Sequence, residues 1–292
     1  MNKALTNSIE IAIPFQRTLN RLRGIFRYGV INTIKLMAML RRNKNTPPQH
    51  YLAVCAMAKN EGPYFEEWIE WHRKIGVEKF YIYDNESSDN TKEILAPYIE
   101  SGLVEYVFWT GRKQQFAIYE DCLNRHRLDA HWIAIIDLDE FIIPKTDKTI
   151  PEFLKRFEKF AAVELNWLIY GSGGAQKKEP GGVMERFKHH SVPNHVLNRY
   201  VKTIVNPRRV VIFISSHKAA TISGRTADSH GKVARKNFKY REPQQDVIRI
   251  NHYIVKSYEE FLEKCARGRA VSIKEIDPAY FNSRDLNDIK EE

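Results

Sequence analysis

Residues 132–144 read WIAIIDLDEFIIP. Trp132 to Ile136 form an unbroken apolar run, as in a strand buried on both faces of a parallel sheet. The run breaks abruptly into Asp137, Asp139 and Glu140. With His131 added, the pattern predicts a strand over 131–136. Working back towards the N-terminus, the preceding segments alternate in period. Phe116–Leu128 reads as a helix with Phe116, Tyr119, Cys122 and Leu123 inward, and Leu103–Trp109 as a strand. Asp89–Tyr98 is a helix with Asn and Asp available as caps, and Lys79–Tyr83 is a strand. Pro63–Ile75 places Phe65, Trp68, Ile69, His72 and Ile75 on one helical face, and Tyr51–Met57 is a short apolar strand. Strand and helix alternating at this spacing predict an α/β fold with a doubly wound, mostly parallel sheet flanked by helices. In such sheets ligands collect beyond the carboxyl ends of the strands.

The second half is less regular. Thr149-x-x-Glu152 and Ser257-x-x-Glu260 match capping boxes, so helices are expected to begin near 150 and 258. Between them lie strand-like runs at Val163–Tyr170, Val210–Ile214 and Val247–Ile254, and a glycine-rich loop at Gly171–Gly174. This region is read as strands completing the same sheet, with the loops that carry specificity.

The 292 residues are 43% hydrophobic and 28% charged, which fits a globular chain and excludes collagen-like, low-complexity and wholly disordered classes. Cys55, Cys122 and Cys265 are widely spaced and odd in number, which predicts reduced thiols and a cytoplasmic setting. No apolar run approaches the roughly 18 to 20 residues of a membrane helix. The N-terminus shows no secretory signal pattern.

The net charge of +10 is concentrated at one end. Residues 1–50 hold nine bases against the single acid Glu10, leaving +2 for the remainder. Phe15, Leu19, Leu22, Phe26, Val30, Thr33, Met37 and Leu40 recur at steps of three and four, the spacing of one apolar helical stripe with arginines on its flanks. Gly24 and Gly29 each weaken such a helix by about 1 kcal/mol relative to alanine. Residues 1–48 therefore read as a basic amphipathic arm ending in the linker NKNTPPQ (43–49), and 49–292 as the body. Two readings of the arm stand side by side. Residues 1–45 lie on an anionic membrane surface, leaving the protein peripheral on the inner face, or the helix packs on the body or a partner. No nucleic-acid partner is expected, because the arm carries no zinc, RRM-like or KH-like signature.

The candidate chemistry sits at the strand ends. On an extended chain Asp137 and Asp139 face the same way. Two carboxylates aimed together repel unless a cation lies between them. Mg²⁺ or Mn²⁺ held by one or two carboxylates and substrate phosphate oxygens meets that need. The first strand runs into Lys59, Asn60 and Glu61, the second into Asp84-Asn85-Glu86, and the third into Arg112, Lys113 and Gln115. Asp84 can accept hydrogen bonds from a nucleobase or ribose, and Lys59, Arg112 or Lys113 can meet phosphate. His252 leaves a late strand just before the Ser257 helix and can complete a metal site as a neutral imidazole.

The series Lys59-Asn60-Glu61, EEWIEWH (66–72), YIYDNESSDNT (81–91), Gln115 with Cys122, and DLDEF (137–141) resembles glycosyltransferase family 92, related to family 2-like glycosyltransferases of the GT-A fold. Gly171–Gly174, Glu185-Arg186, Val201-Lys202-Thr203, His217 and NHYIVKSYEEFLEKCARGR (251–269) continue the likeness over roughly 50–270. The resemblance implies a GT-A-type sheet. It also implies a nucleotide-sugar donor, UDP-linked, and a saccharide or glycolipid acceptor in surface polysaccharide or glycan synthesis. Asp84 would then contact the uridine, Asp137 the ribose or metal, Asp139 the metal, and His252 the metal or diphosphate. Lys256 and Arg267 are further diphosphate candidates. Lys59, Glu61, Arg112 and Gln115 belong to the same donor-binding set. Transfer with inversion needs a carboxylate base; Glu185 is the candidate, with Glu179 and Asp228 as rivals. Galactose is suggested as the sugar by some family members. Two other classes compete. A DxD phosphatase requires an aspartate in a DxDxT run after its first strand, whereas DLDEF lacks the threonine and follows the fourth. A basic-armed binding or scaffold protein would keep the fold without turnover.

Overall fold

The structure is a computed structural model that describes residues 18–234, 237–268 and 279–292. Lys3, Phe15 and Arg17 of the arm lie outside them. In chain order the elements that build the body are β1 (His50–Ala58), α3 (Phe65–Lys74), β2 (Lys79–Asp84), α4 (Thr91–Glu100), β3 (Val104–Phe108), α5 (Gln115–His126), β4 (Ala130–Ile135) and β5 (Glu140–Pro144). They are preceded by two helices of the arm, α1 (18–28) and α2 (Val30–Arg42). The second half adds α6 (Ile150–Leu154), β6 (Ala162–Ile169), α7 (Val183–Arg186), β7 (His189–His190), β8 (Val201–Val205), β9 (Val210–Ser215) and β10 (Lys218–Thr221). It closes with β11 (Thr226–Ala227), β12 (Ile248–His252), α8 (Tyr258–Arg267), α9 (Ala279–Asn282) and β13 (Ile289–Lys290).

The main sheet runs β3-β2-β1-β4-β8-β6-β12-β5, with β11 beside β6. Strands β3, β2, β1 and β4 are parallel, as are β6 and β12. The sequence pattern marked no strand at β8. It runs antiparallel between β4 and β6, and β5 returns antiparallel on β12. The expected α/β sheet is therefore formed, parallel at one end and mixed at the other.

Strand alternation divides the core into two layers. Leu52, Val54 and Ala56 of β1 face Phe65, Trp68, Ile69 and Leu95 of α3 and α4. Ala53 and Cys55 face Ile118, Tyr119, Cys122 and Leu123 of α5. Helix α3 also closes the sheet edge. Trp68 and Trp71 indole N–H groups donate to the Glu140 and Ile142 carbonyls of β5, each at 2.9 Å. The His72 Nε2 accepts from Ile142 N–H at 3.3 Å while its Nδ1 meets the Trp68 carbonyl at 2.8 Å. The EEWIEWH run thus satisfies the open edge of the strand that begins at Glu140.

The arm packs on the body. Gly24 sits flush on β10, where a Cβ would stand 2.3 Å from Ala220 Cβ. Leu36, Met39 and Leu40 cover Val211, Ile212, Ala220 and Ile222. Gly29, at φ 92, makes the break between α1 and α2, a conformation only glycine adopts freely. The expected single stripe is split. Thr33 and Leu40 turn inward with the body face, while Leu22, Phe26, Val30 and Met37 are exposed. Among the described residues no helix is long and apolar enough to cross a membrane.

Candidate active site

Because β8 and β5 run against the other strands, their starts lie at the same edge as the ends of β1, β2, β3, β4, β6 and β12. That edge gathers Lys59, Asp84, Asp137, Asp139, Glu140, Lys202 and His252. The four described non-glycine residues with positive φ are Asn60, Glu86, Lys113 and Lys256, and each follows one of these strand ends. Such strained backbone costs of order 1–3 kcal/mol per residue and gathers where function fixes a loop.

The two aspartates are not aimed together. β4 stops at Ile135, and Asp137 to Glu140 form a turn closed by Glu140 N–H donating to the Asp137 carbonyl at 3.1 Å. The same-face alternation expected for an extended chain does not operate in a turn. The side chains part accordingly. Asp137 Oδ2 accepts from Lys202 Nζ at 2.6 Å, and Lys202 also lies 3.3 Å from Glu140 Oε2. Asp139 Oδ2 accepts from Lys264 Nζ at 2.6 Å, a lysine of α8 that also donates to the Ile254 carbonyl at 2.8 Å.

Asp139 Oδ1 faces His252 Nε2 at 3.5 Å, and His252 Nδ1 lies 4.0 Å from Glu140 Oε1. Neither His252 Nδ1 nor Glu140 Oε1 has a hydrogen-bond partner, although both are buried. Burial lowers the His252 pKa, against the pull of Asp139, so the imidazole is neutral, which is its metal-ligating form. Burial alone would raise the Asp139 pKa, yet Lys264, His252 and Lys256 hold it well below the usual carboxylate range. Glu140, fully enclosed, is pushed up to about 8 by burial despite Lys202. Lys202 stays protonated because Asp137 and Glu140 outweigh its own burial.

Among the described residues no cluster of three or more His, Cys, Asp or Glu side chains forms a metal cage. An ionised carboxylate oxygen and a neutral imidazole nitrogen within 3.5 Å of each other nevertheless suit a hard cation that takes its other ligands from substrate. Asp139 and His252 fit that role through Oδ1 and Nε2; each aspartate has its Oδ2 taken by a lysine, and only Asp139 turns its other oxygen to the imidazole.

The remaining candidates are placed as follows. Asp84 is buried, with Oδ1 accepting from Ser87 N–H at 2.9 Å and Oδ2 from the Tyr106 hydroxyl at 2.6 Å. Its carboxylate therefore shapes the loop after β2. Glu61 is buried and pairs with Arg267, which also donates to the Asn60 carbonyl. Lys256 is buried with its ammonium 4.0 Å from the Tyr64 ring centre. Burial lowers its pKa to about 8, helped by Lys264 and Arg267 and opposed by Glu61 and Asp139. Gln115 is buried at the start of α5 with an unpartnered Oε1. Lys59 is half-buried and Arg112 exposed.

Glu185 is exposed on α7, and among the described residues no hydrogen bond or ion pair joins it to this cluster. Its neighbours Gly181, Val183 and Arg186, with Tyr64, Glu67 and Lys178, line an open cleft of about 590 Å³. Glu179 lines the same cleft. Asp228 is buried elsewhere, accepting from His230 and Lys232 N–H groups at 3.1 and 2.9 Å. Sequence reasoning missed Lys202, Lys264 and Glu140 as members of the cluster. A lysine in an otherwise apolar strand, VKTIV, is the signal that could have marked the first.

Solved structures to which the chain is similar include S. aureus TarS 1-349 in complex with UDP-GlcNAc, with a TM-score of 0.40 and 14% identity over 80% of this chain and 69% of that one. Among curated proteins, a galactan beta-1,4-galactosyltransferase of Arabidopsis thaliana is 25% identical over 72% of this chain and 46% of its own. A glycosyltransferase family 92 protein of Ricinus communis is 26% identical over 268 residues, 90% of this chain and 45% of that protein. The chain thus spans about half the length of the curated relatives it matches. The family model for glycosyltransferase family 92 matches residues 50–281, from β1 through α9, so this chain belongs to glycosyltransferase family 92.

Proposed function

We propose that the protein transfers a sugar, galactose, from a UDP-linked donor to a saccharide or glycolipid acceptor in the cytoplasm, with inversion at the anomeric carbon. Residues 49–292 would carry the reaction and 1–48 would serve as the arm. The observation that carries the reading is the gathering of Asp139, His252, Lys256, Lys264 and Arg267 at one carboxyl edge, where Lys256 itself and three further loop residues, Asn60, Glu86 and Lys113, have strained backbone. Membership of family 92 and the galactosyltransferase relatives support the reaction class and the sugar.

Breaking the anomeric bond passes through an oxocarbenium-like transition state while negative charge builds on the departing diphosphate. Asp139 and His252 would hold Mn²⁺ or Mg²⁺, which when bound supplies Lewis-acid stabilisation of that charge. Lys256 and Arg267 would bind the diphosphate, their ammonium and guanidinium standing where the donor's charge needs them. Asp84, through the loop it orders, and Gln115, through its free oxygen, would shape the nucleoside end. Glu185, beside the open cleft, would take the proton of the acceptor hydroxyl.

Thermal unfolding of the whole chain with UDP tests the reading. A ligand that binds the native state at one hundred times its Kd stabilises by about 2.7 kcal/mol, so UDP with Mn²⁺ should raise Tm where either alone does not. No shift under any combination, or turnover of a simple phosphate ester at the same residues, would replace the transferase by the scaffold or phosphatase reading. A screen of nucleotide sugars by donor hydrolysis then tests galactose.

A further inference from the structure

Helices α1 and α2 are apolar on two sides. The inner side is spent on the hairpin of β9 and β10, through Gly24, Leu36, Met39 and Leu40. The outer side carries Leu22, Phe26, Val30, Ile31, Ile34 and Met37, with Phe26 73%, Ile31 70% and Ile34 61% exposed. At 100° per residue, Val30, Ile34 and Met37 fall together on α2 with Ile31 beside them, so these side chains form a band rather than scattered contacts. A helix apolar on both sides is normally covered on both.

The charge around the band indicates what covers it. Arg23, Lys35, Arg41, Arg42 and Lys44 are all exposed, and residues 18–45 contain no acid. A second copy of this chain would bring two such positive rims against each other. An anionic lipid surface meets both features at once, since the acyl boundary takes the apolar band and the headgroup phosphates take the bases. Long arginine and lysine stems reach the headgroups while their methylenes stay near the apolar layer.

We propose that the outer face of α1 and α2, led by Phe26, Ile31, Ile34 and Met37, docks the protein on an anionic lipid bilayer while the inner face stays on the body. This face differs from the single stripe expected from periodicity, and docking does not depend on the nucleotide-sugar site.

The test is co-sedimentation of the whole chain with vesicles of phosphatidylglycerol and phosphatidylcholine, against phosphatidylcholine alone. The anionic vesicles should carry the protein down and the neutral ones should not. The variant Ile31→Ser/Ile34→Ser/Met37→Ser alters only solvent-facing positions. It should keep the wild-type Tm and lose at least about tenfold in bound fraction. Arg23→Glu/Lys35→Glu/Arg42→Glu should abolish the anionic preference. Failure of the wild type to sediment, or equal binding by the serine variant, overturns the proposal. So does a concentration-dependent dimer in sedimentation velocity that the serine variant dissolves, which would assign the face to a second copy. Intact donor binding with no sedimentation would sink this inference alone, and the reverse result would sink the transferase reading alone.

Discussion

Asp139 is held ionised by the lysines Lys264 and Lys256 and stands within reach of the His252 imidazole. Replacing it with asparagine keeps the shape and removes the charge. Asp139→Asn should lower sugar transfer by about 10² to 10³, the usual effect of losing one preorganised stabiliser, while the circular dichroism spectrum is unchanged. Transfer at the wild-type rate would remove Asp139 from the reaction. Lys202 plays a different part. Its ammonium pairs with the partly exposed Asp137 and stands beside the enclosed Glu140, whose raised pKa favours the protonated carboxyl near neutral pH. Lys202 is buried while Asp137 is 37% exposed, so removing the ammonium leaves one carboxylate that water reaches and one enclosed carboxyl without its partner, at a cost of about 1–3 kcal/mol. Denaturant unfolding of Lys202→Met should show a loss of that size, partly restored by adding Glu140→Gln. A loss below 1 kcal/mol would mean that water already reaches the pair.

The helix that follows β12 shows how an element is tied to the site. Ser257 and Glu260 form a reciprocal capping box. Glu260 also accepts from Arg186 at 2.8 and 2.9 Å and from the Tyr64 hydroxyl at 2.8 Å. Although burial alone would raise it, these partners lower the Glu260 pKa from 4.5 to about 2. A carboxylate with a depressed folded pKa contributes stability that is present above the unfolded value and is lost as pH falls through the folded one. The contribution should therefore be complete above pH 4.5 and vanish towards pH 2, with a size on the order of 3 kcal/mol. Glu260→Gln should flatten the stability profile across that window, and an unchanged acid limb would show that the pair does not act on folding. Helix α8 was legible from its capping box and β4 from its apolar run. β8 was not, because a short VKTIV segment between loops gives no period that separates an inserted antiparallel strand from a buried loop.

For the molecule as a whole, the near-neutral body and the basic arm were visible from charge alone, but their relation was not. Leu36, Met39 and Leu40 seal the β9–β10 hairpin. A truncate lacking residues 1–45 should therefore lose stability by a few kcal/mol through exposure of Val211, Ile212, Ala220 and Ile222. A truncate with the wild-type Tm would make the arm a detachable appendage. The same limit applies to the site. Local pattern determined the alternating elements, the edge where their ends gather, and which residues carry charge, because period and capping act over a few neighbouring residues. Only the tertiary structure decided that Asp137 turns to Lys202, that Asp139 meets Lys264 and His252, and which side of the arm faces out. Those partners lie 65, 125 and 113 residues apart in the chain or more than one element away, and no local rule sets a contact that depends on the order of strands in a sheet.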